Sequence, residues 1–127
     1  FSFFNFKNKN QIWIAGGVGI TPFLSMSKIL PERQDYQVVL FYCANTEGDM
    51  IFMDELKAVA AANKNFQVAL FCADKQGFLT AADVNKIAGG IKDKEILFSG
   101  PLPMLAALRE QFAGLGAPKR NFHTDDL

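Results

Sequence analysis

Short apolar runs alternate with amphipathic stretches along most of the chain. QIWIA (11–15), YQVVLFYC (36–43), FQVALFC (66–72) and EILFS (95–99) are apolar on successive residues. Such runs suit strands covered on both faces, and RNFH (120–123) adds a candidate fifth strand. Helical patterns lie between them. One opens at Thr21 and Pro22 and runs through Leu30, with threonine as the expected cap and proline at the first helical position. Asp49 is the expected cap of the next, in which Phe52, Leu56 and Val59 recur at helical spacing. Thr80 and Asp83 have the spacing of a capping box, and the helix they start ends near Gly89 and Gly90. Gly100 and Pro101 lead into a last helix, where Leu102, Leu105, Leu108 and Phe112 form one apolar stripe and Gly114 and Gly116 stop it.

Buried strands joined by helices predict an α/β fold: a doubly wound parallel sheet of about five strands with helices on both faces. Ligands of such sheets sit at the carboxyl ends of the strands, beside the point where the strand order reverses. In the common order 3-2-1-4-5, strands one and four flank that point. The turns after them therefore face one crevice, and both are rich in glycine.

The first turn is IAGGVGITPF (14–23). Gly16, Gly17 and Gly19 place no Cβ between backbone and ligand, and a helix start aims N–H groups and a positive dipole end at an anion such as pyrophosphate. Val18 and Ile20 complete the loop, and Thr21 offers a hydroxyl. Against the dinucleotide fingerprint G-x-G-x-x-G, Pro22 stands where the third glycine belongs, and strand two ends Tyr42-Cys43-Ala44-Asn45 with no acid for a ribose diol. Taken alone, the loop also reads as a tight turn without a ligand.

Composition narrows the classes. The 127 residues fit one domain, and 13 basic against 13 acidic residues give no electrostatic reason to expect nucleic acid or an anionic membrane surface as partner. No apolar run approaches the roughly 20 residues of a membrane span, so direct membrane insertion by this segment is not expected. Cys43 and Cys72 both lie in strand-like runs, as buried thiols in a reducing cytosol would. A single histidine, His123, supports neither a Ser-His-Asp triad nor a histidine-rich metal site, and is read as structural.

The second turn is SGPLPM (99–104), a small polar strand end followed by Gly-Pro and a methionine. Together with GGVGITP it resembles the pyridine-nucleotide domain of the ferredoxin–NADP reductase superfamily, which carries G-x-G-x-x-P after its first strand and C-G-P-x-x-M late in the chain. The resemblance spans residues 12–126 and takes in Asp54-Glu55-Leu56 and Gly77-Phe78-Leu79-Thr80. WIAGGVGITPFLSM looks most like the membrane ferric reductases and their NADPH-oxidase relatives, and also resembles soluble flavin-iron-sulfur reductases.

The resemblance implies an NAD(P)-binding domain over 11–127 that delivers hydride from NAD(P)H to FAD, with single electrons passing onward. The FAD lies on a preceding β-barrel domain of the same chain. Residues 1–10 would then be the remnant of that barrel and a linker, FSFFNF being its last aromatic strand; an exposed terminal arm is the alternative. Gly16, Gly17, Val18, Gly19, Ile20, Thr21 and Pro22 are the implied cofactor-binding residues of the first turn, with Gly100, Pro101 and Met104 in the second. Ser99 takes the catalytic position beside the nicotinamide, where the family has cysteine. A serine donates a hydrogen bond there but lacks the polarisable sulfur. The competing readings are a helix N-cap for Ser99 and core packing for Met104.

Asn45, Thr46, Asp74 and Lys75 are the residues expected near the adenosine ribose. The absence of arginine and the presence of Asp74 favour NADH; Lys75 keeps NADPH open. The ending His123-Thr124-Asp125-Asp126-Leu127 matches the family's H-x-E-E-F in part, without the aromatic. The location implied is cytoplasmic, or the cytoplasmic face of a membrane protein with a haem domain as further partner. The domain alone is expected to bind nucleotide weakly and to be inactive. Two other classes stay open: a non-catalytic interaction or regulatory domain on this fold, and a flavodoxin-like FMN binder, for which GGVGITP is poor in hydroxyls.

Overall fold

Five parallel strands form one sheet in the order β3-β2-β1-β4-β5 in a computed structural model of the chain, which describes residues 2–124. The strands are β1 (Asn10–Gly16), β2 (Gln37–Ala44), β3 (Phe66–Cys72), β4 (Glu95–Ser99) and β5 (Phe122–Thr124). The helices are α1 (Ile20–Ser27), α2 (Met53–Ala62), α3 (Ala73–Gln76), α4 (Ala81–Ala88) and α5 (Leu102–Gly114). This is the doubly wound α/β sheet expected from the sequence.

Alternation along β1 divides the interior. Trp13 and Ala15 point to one face, where Ile20, Phe23 and Leu24 of α1 and Leu56 of α2 pack on them. Ile12 and Ile14 point to the other, against Ala81 and Val84 of α4 and Leu108 and Phe112 of α5. The largest buried side chain, Trp13, stacks on Phe23 at 5.6 Å between ring centroids. Its Nε1 donates to Gln11 Oε1 at 3.0 Å, so its one polar atom is satisfied inside the core. Fully burying a side chain of this kind stabilises the fold by about 2–3 kcal/mol.

Several boundaries differ from the sequence pattern, each for a local reason. The aromatic opening holds a 3-10 turn, Phe3–Asn5, rather than a strand end. Phe3 is fully buried, 4.8 Å from the Tyr36 ring and 5.6 Å from Trp13. The first helix ends at Ser27, and Leu30 belongs to a separate 3-10 turn. Asp49 does not cap α2: it closes a 3-10 turn, Glu47–Asp49, and the cap position falls to Phe52 in the left-handed region, φ 61°. Leu102 leaves the expected stripe of α5 and is 77% exposed, while Leu108 and Phe112 are buried. Gly114 lies inside that helix; Gly116, at φ +83°, follows its end. The Thr80–Asp83 capping box forms as expected, with Thr80 Oγ1 accepting from the Asp83 N–H and Asp83 Oδ2 from the Thr80 N–H, both at 3.1 Å.

Candidate functional site

Strands β1 and β4 pair in parallel with Ala15 opposite Ser99, so their turns emerge side by side at the carboxyl end of the sheet. The two turns touch. A Cβ on Gly19 would lie 2.1 Å from the Ser99 carbonyl oxygen. One on Gly16 would lie 2.8 Å from Met104 Sδ and 2.9 Å from Pro101 Cδ, and one on Gly100 would meet Gly16 Cα at 3.1 Å. Gly19 is therefore required by backbone contact between the turns, and Gly16 and Gly100 are crowded there by side chains and by each other, a constraint that adds to the ligand approach expected of Gly16 and Gly19. Gly17 is the exception: it has φ +57° and nothing within 4 Å of where a Cβ would stand. Next to it Val18 is 82% exposed. The loop thus has one side locked against β4 and one side open.

The helical path also begins earlier than the Thr21-Pro22 pattern implies. A 3-10 turn over Gly17–Gly19 runs directly into α1, and the Ile20 N–H bonds to the carbonyls of Gly17 and Val18. The first N–H groups of a helical run have no partner within it and form its positive end, which here falls on the glycine turn. Thr21 is not the cap: it is the second residue of α1, and its hydroxyl donates to the Val18 carbonyl at 3.2 Å. Pro22, third in the helix, is tolerated because a first-turn residue needs no intrahelical N–H bond.

In the second turn Ser99 is 8% exposed. The cap position of α5 belongs to Pro101, which removes the N-cap reading of Ser99. Gly100 and Pro101 are exposed, and half-buried Met104 packs with the α4–α5 side of the core while its sulfur supports Gly16.

Asn45, Thr46, Asp74 and Lys75 gather at the same end of the sheet, on the turns after β2 and β3. Asp74 and Lys75 sit on α3, a four-residue helix that the sequence pattern did not reveal. The Asp74 N–H donates to the Asn45 carbonyl at 3.0 Å and ties the two turns together. Lys75 Nζ lies 3.4 Å from Glu47 Oε2, which makes Glu47 a member of this cluster that sequence reasoning missed; its position two residues beyond Asn45 was the only signal. Beneath them the Tyr42 hydroxyl accepts from the Ile51 N–H at 2.8 Å and donates to the Ile51 carbonyl at 3.2 Å, anchoring the path into α2. Burial raises the Tyr42 pKa, so this hydroxyl keeps its proton. Burial likewise pushes the Cys43 thiol up to about 12, which makes it a poor nucleophile. Both cysteines are free thiols; Cys72 is buried and Cys43 half-buried.

His123 stands apart from these turns. Its Nε2 is 2.7 Å from Glu95 Oε1, and its ring stacks on Phe6 at 3.9 Å, a structural role. Asp125, Asp126 and Leu127 lie outside the described residues. No described helix is long and apolar enough to cross a membrane. A hollow of about 300 Å³ opens at the amino ends of the strands, lined among others by Asn10, Gln37, Lys64 and Lys94, away from both glycine turns.

A doubly wound parallel sheet whose two glycine turns meet at the switch point is the architecture of nucleotide-binding domains. Residues 13–110 match the family described as the oxidoreductase NAD-binding domain, and the chain belongs to that family within the ferredoxin reductase superfamily. It is 26% identical over 135 residues to a glycine betaine monooxygenase reductase subunit of Pseudomonas aeruginosa, covering 98% of this chain and 37% of that protein. It is 31% identical over 111 residues to flavohemoprotein A of Dictyostelium discoideum, covering 85% of this chain and 28% of that one. The cytochrome b5 reductase domain of Ulva prolifera nitrate reductase has the same fold, with a TM-score of 0.82 at 21% identity over 94% of this chain and 49% of that one. The chain thus spans about a third of the length of the two relatives, and the superfamily resemblance read from its two turns is borne out.

Proposed function

We propose that this domain binds NAD(P)H across the two glycine turns and presents it to a flavin held on a separate domain of a longer chain. The observation that carries the reading is the asymmetry of the first turn. Gly16 and Gly19 are locked against Ser99, Pro101 and Met104, while Gly17 leaves an open, Cβ-free cradle at the positive end of a helical run. That cradle fits a pyrophosphate. Gly17, Val18 and Gly19 would hold it through backbone N–H groups, with Ile20, Thr21 and Pro22 starting the helix behind them.

Ser99, Gly100 and Pro101 would face the nicotinamide, and the exposed Gly100 lets the ring approach the backbone. Asn45, Thr46, Asp74 and Lys75 would face the adenosine ribose. When bound, NAD(P)H supplies a hydride from its C4, and FAD on the other domain takes it up. This chain's own residues orient the ring and hold it at the switch point. Residues 1–10 would be the end of that flavin-binding barrel and its linker, with Phe3 and Phe6 docking the junction onto this domain.

The reductase subunit among the relatives supports electron delivery to a redox partner. The stretch WIAGGVGITPFLSM favours a second, finer reading: a ferric reductase-type protein with a membrane haem domain, this domain lying on the cytoplasmic face. Calorimetric titration with NADH and NADPH at millimolar concentration tests the main reading. Weak binding without diaphorase activity is the expected result for the domain alone. No heat with either nucleotide contradicts binding, and rapid turnover without added flavoprotein contradicts the need for a second domain.

A further inference from the structure

The turns after β2 and β3 contain a single cation. Across residues 45–52 and 73–78, Lys75 is the sole lysine or arginine, whereas Glu47, Asp49 and Asp74 are acids. That one ammonium is already engaged, its Nζ 3.4 Å from Glu47 Oε2. The contact joins residues 28 apart in sequence, and the Asp74 N–H to Asn45 carbonyl bond fixes the same two turns to each other at 3.0 Å. We propose that Glu47 sets nucleotide choice in this protein, occupying Lys75 in an ion pair across the two turns and so selecting NADH against NADPH.

The inference rests on the nucleotide-binding reading above and deepens it. A ribose 2′-phosphate is close to doubly negative at neutral pH and is recognised by cations with free donors. In these turns it would meet three carboxylates and a lysine that one of them holds. The 2′-hydroxyl of NADH carries no charge and can donate a hydrogen bond to a carboxylate. Asp74 alone would repel the phosphate; Glu47 also withdraws the only group able to offset that repulsion. Both partners of the pair are largely exposed, at 64% for Lys75 and 76% for Glu47, so removing the glutamate frees the lysine without opening the core.

The test is the ratio of dissociation constants for NADPH and NADH, measured with the protein at low salt. The wild type is expected to favour NADH. Glu47→Gln is expected to shift the ratio towards NADPH by about fivefold, the scale of an exposed charge interaction. Adding Lys75→Gln is expected to abolish that shift. The inference is overturned by an unchanged ratio in Glu47→Gln while NADH still binds, or by a shift that survives the loss of Lys75. It is equally overturned by a wild type that prefers NADPH. A wild type that binds neither nucleotide overturns the nucleotide-binding reading itself, and the inference with it.

Discussion

Gly19 and Ser99 meet backbone to backbone: a Cβ on Gly19 would fall 2.1 Å from the Ser99 carbonyl oxygen and 2.6 Å from its carbon. No side chain can be accommodated unless β1 and β4 part at their carboxyl ends. Gly19→Ala is therefore expected to destabilise the fold by roughly 1–3 kcal/mol, the usual range for overpacking, and Gly19→Val by more. Thermal or urea unfolding reads the loss directly. Wild-type stability in Gly19→Ala would mean that the two turns are not in contact.

Gly17 makes the complementary prediction. Its φ of +57° costs an alanine about 1 kcal/mol, but the added methyl meets no atom of the protein. Gly17→Ala is expected to melt only slightly below wild type and yet to lose most nucleotide affinity, because the methyl enters the cradle. Comparing its melting point with its NADH dissociation constant separates the two effects. Unimpaired affinity would place the pyrophosphate elsewhere.

Much of this arrangement was legible in the sequence. The bounds of β3 and β4 fall where the apolar runs FQVALFC and EILFS put them, and the strand order is the common one assumed for such a sheet. Thr80 and Asp83 are a local signal, and local signals carry. What the pattern missed depends on tertiary contacts. Thr21 lost its expected cap role because a 3-10 turn over Gly17–Gly19 starts the helical path four residues before it. Asp49 lost its own because the Tyr42 hydroxyl holds Ile51 and delays α2 to Met53. The exposure of Leu102 and the pairing of Glu47 with Lys75 involve groups that no periodicity relates.

Ser99 ends β4 at the switch point, where the superfamily pattern has cysteine. In a longer chain that carries the proposed flavin domain, Ser99→Cys is expected to speed flavin reduction, since a larger and softer thiol would hold the ring closer to the acceptor. Displacements of about an ångström change such rates by roughly a hundredfold, so an increase of up to about tenfold is reasonable. Stopped-flow reduction measures it. An unchanged rate with a large change in dissociation constant would place Ser99 in binding rather than beside the reacting carbon.

Outside the site, Lys9 Nζ lies 2.9 Å from Asp35 Oδ2 and fastens the entrance of β1 to the segment before β2. The hydrogen bond from Lys9, aided by Arg33, lowers the Asp35 carboxyl from its ordinary 3.8 to about 2. A carboxylate depressed on folding contributes stability above its unfolded pKa, and that contribution disappears as pH falls from about 3.8 to about 2. The Asp35 side chain is open to solvent, 42% exposed, so salt screens the effect. An NMR titration is expected to find the Asp35 midpoint near 2 at low salt and to see it rise in Lys9→Met. A midpoint unmoved by that substitution would assign the shift to another cause.

Nucleotide is proposed to sit across the two glycine turns at the carboxyl end of the sheet. An amide-resolved NMR titration of this chain with NADH tests it most directly. The predicted result is a set of saturable shifts centred on Gly16, Gly17, Val18, Gly19 and Gly100, with smaller ones at Asn45 and Asp74. Shifts confined to the amino-end hollow around Asn10, Gln37 and Lys64, or none at millimolar nucleotide, would contradict it.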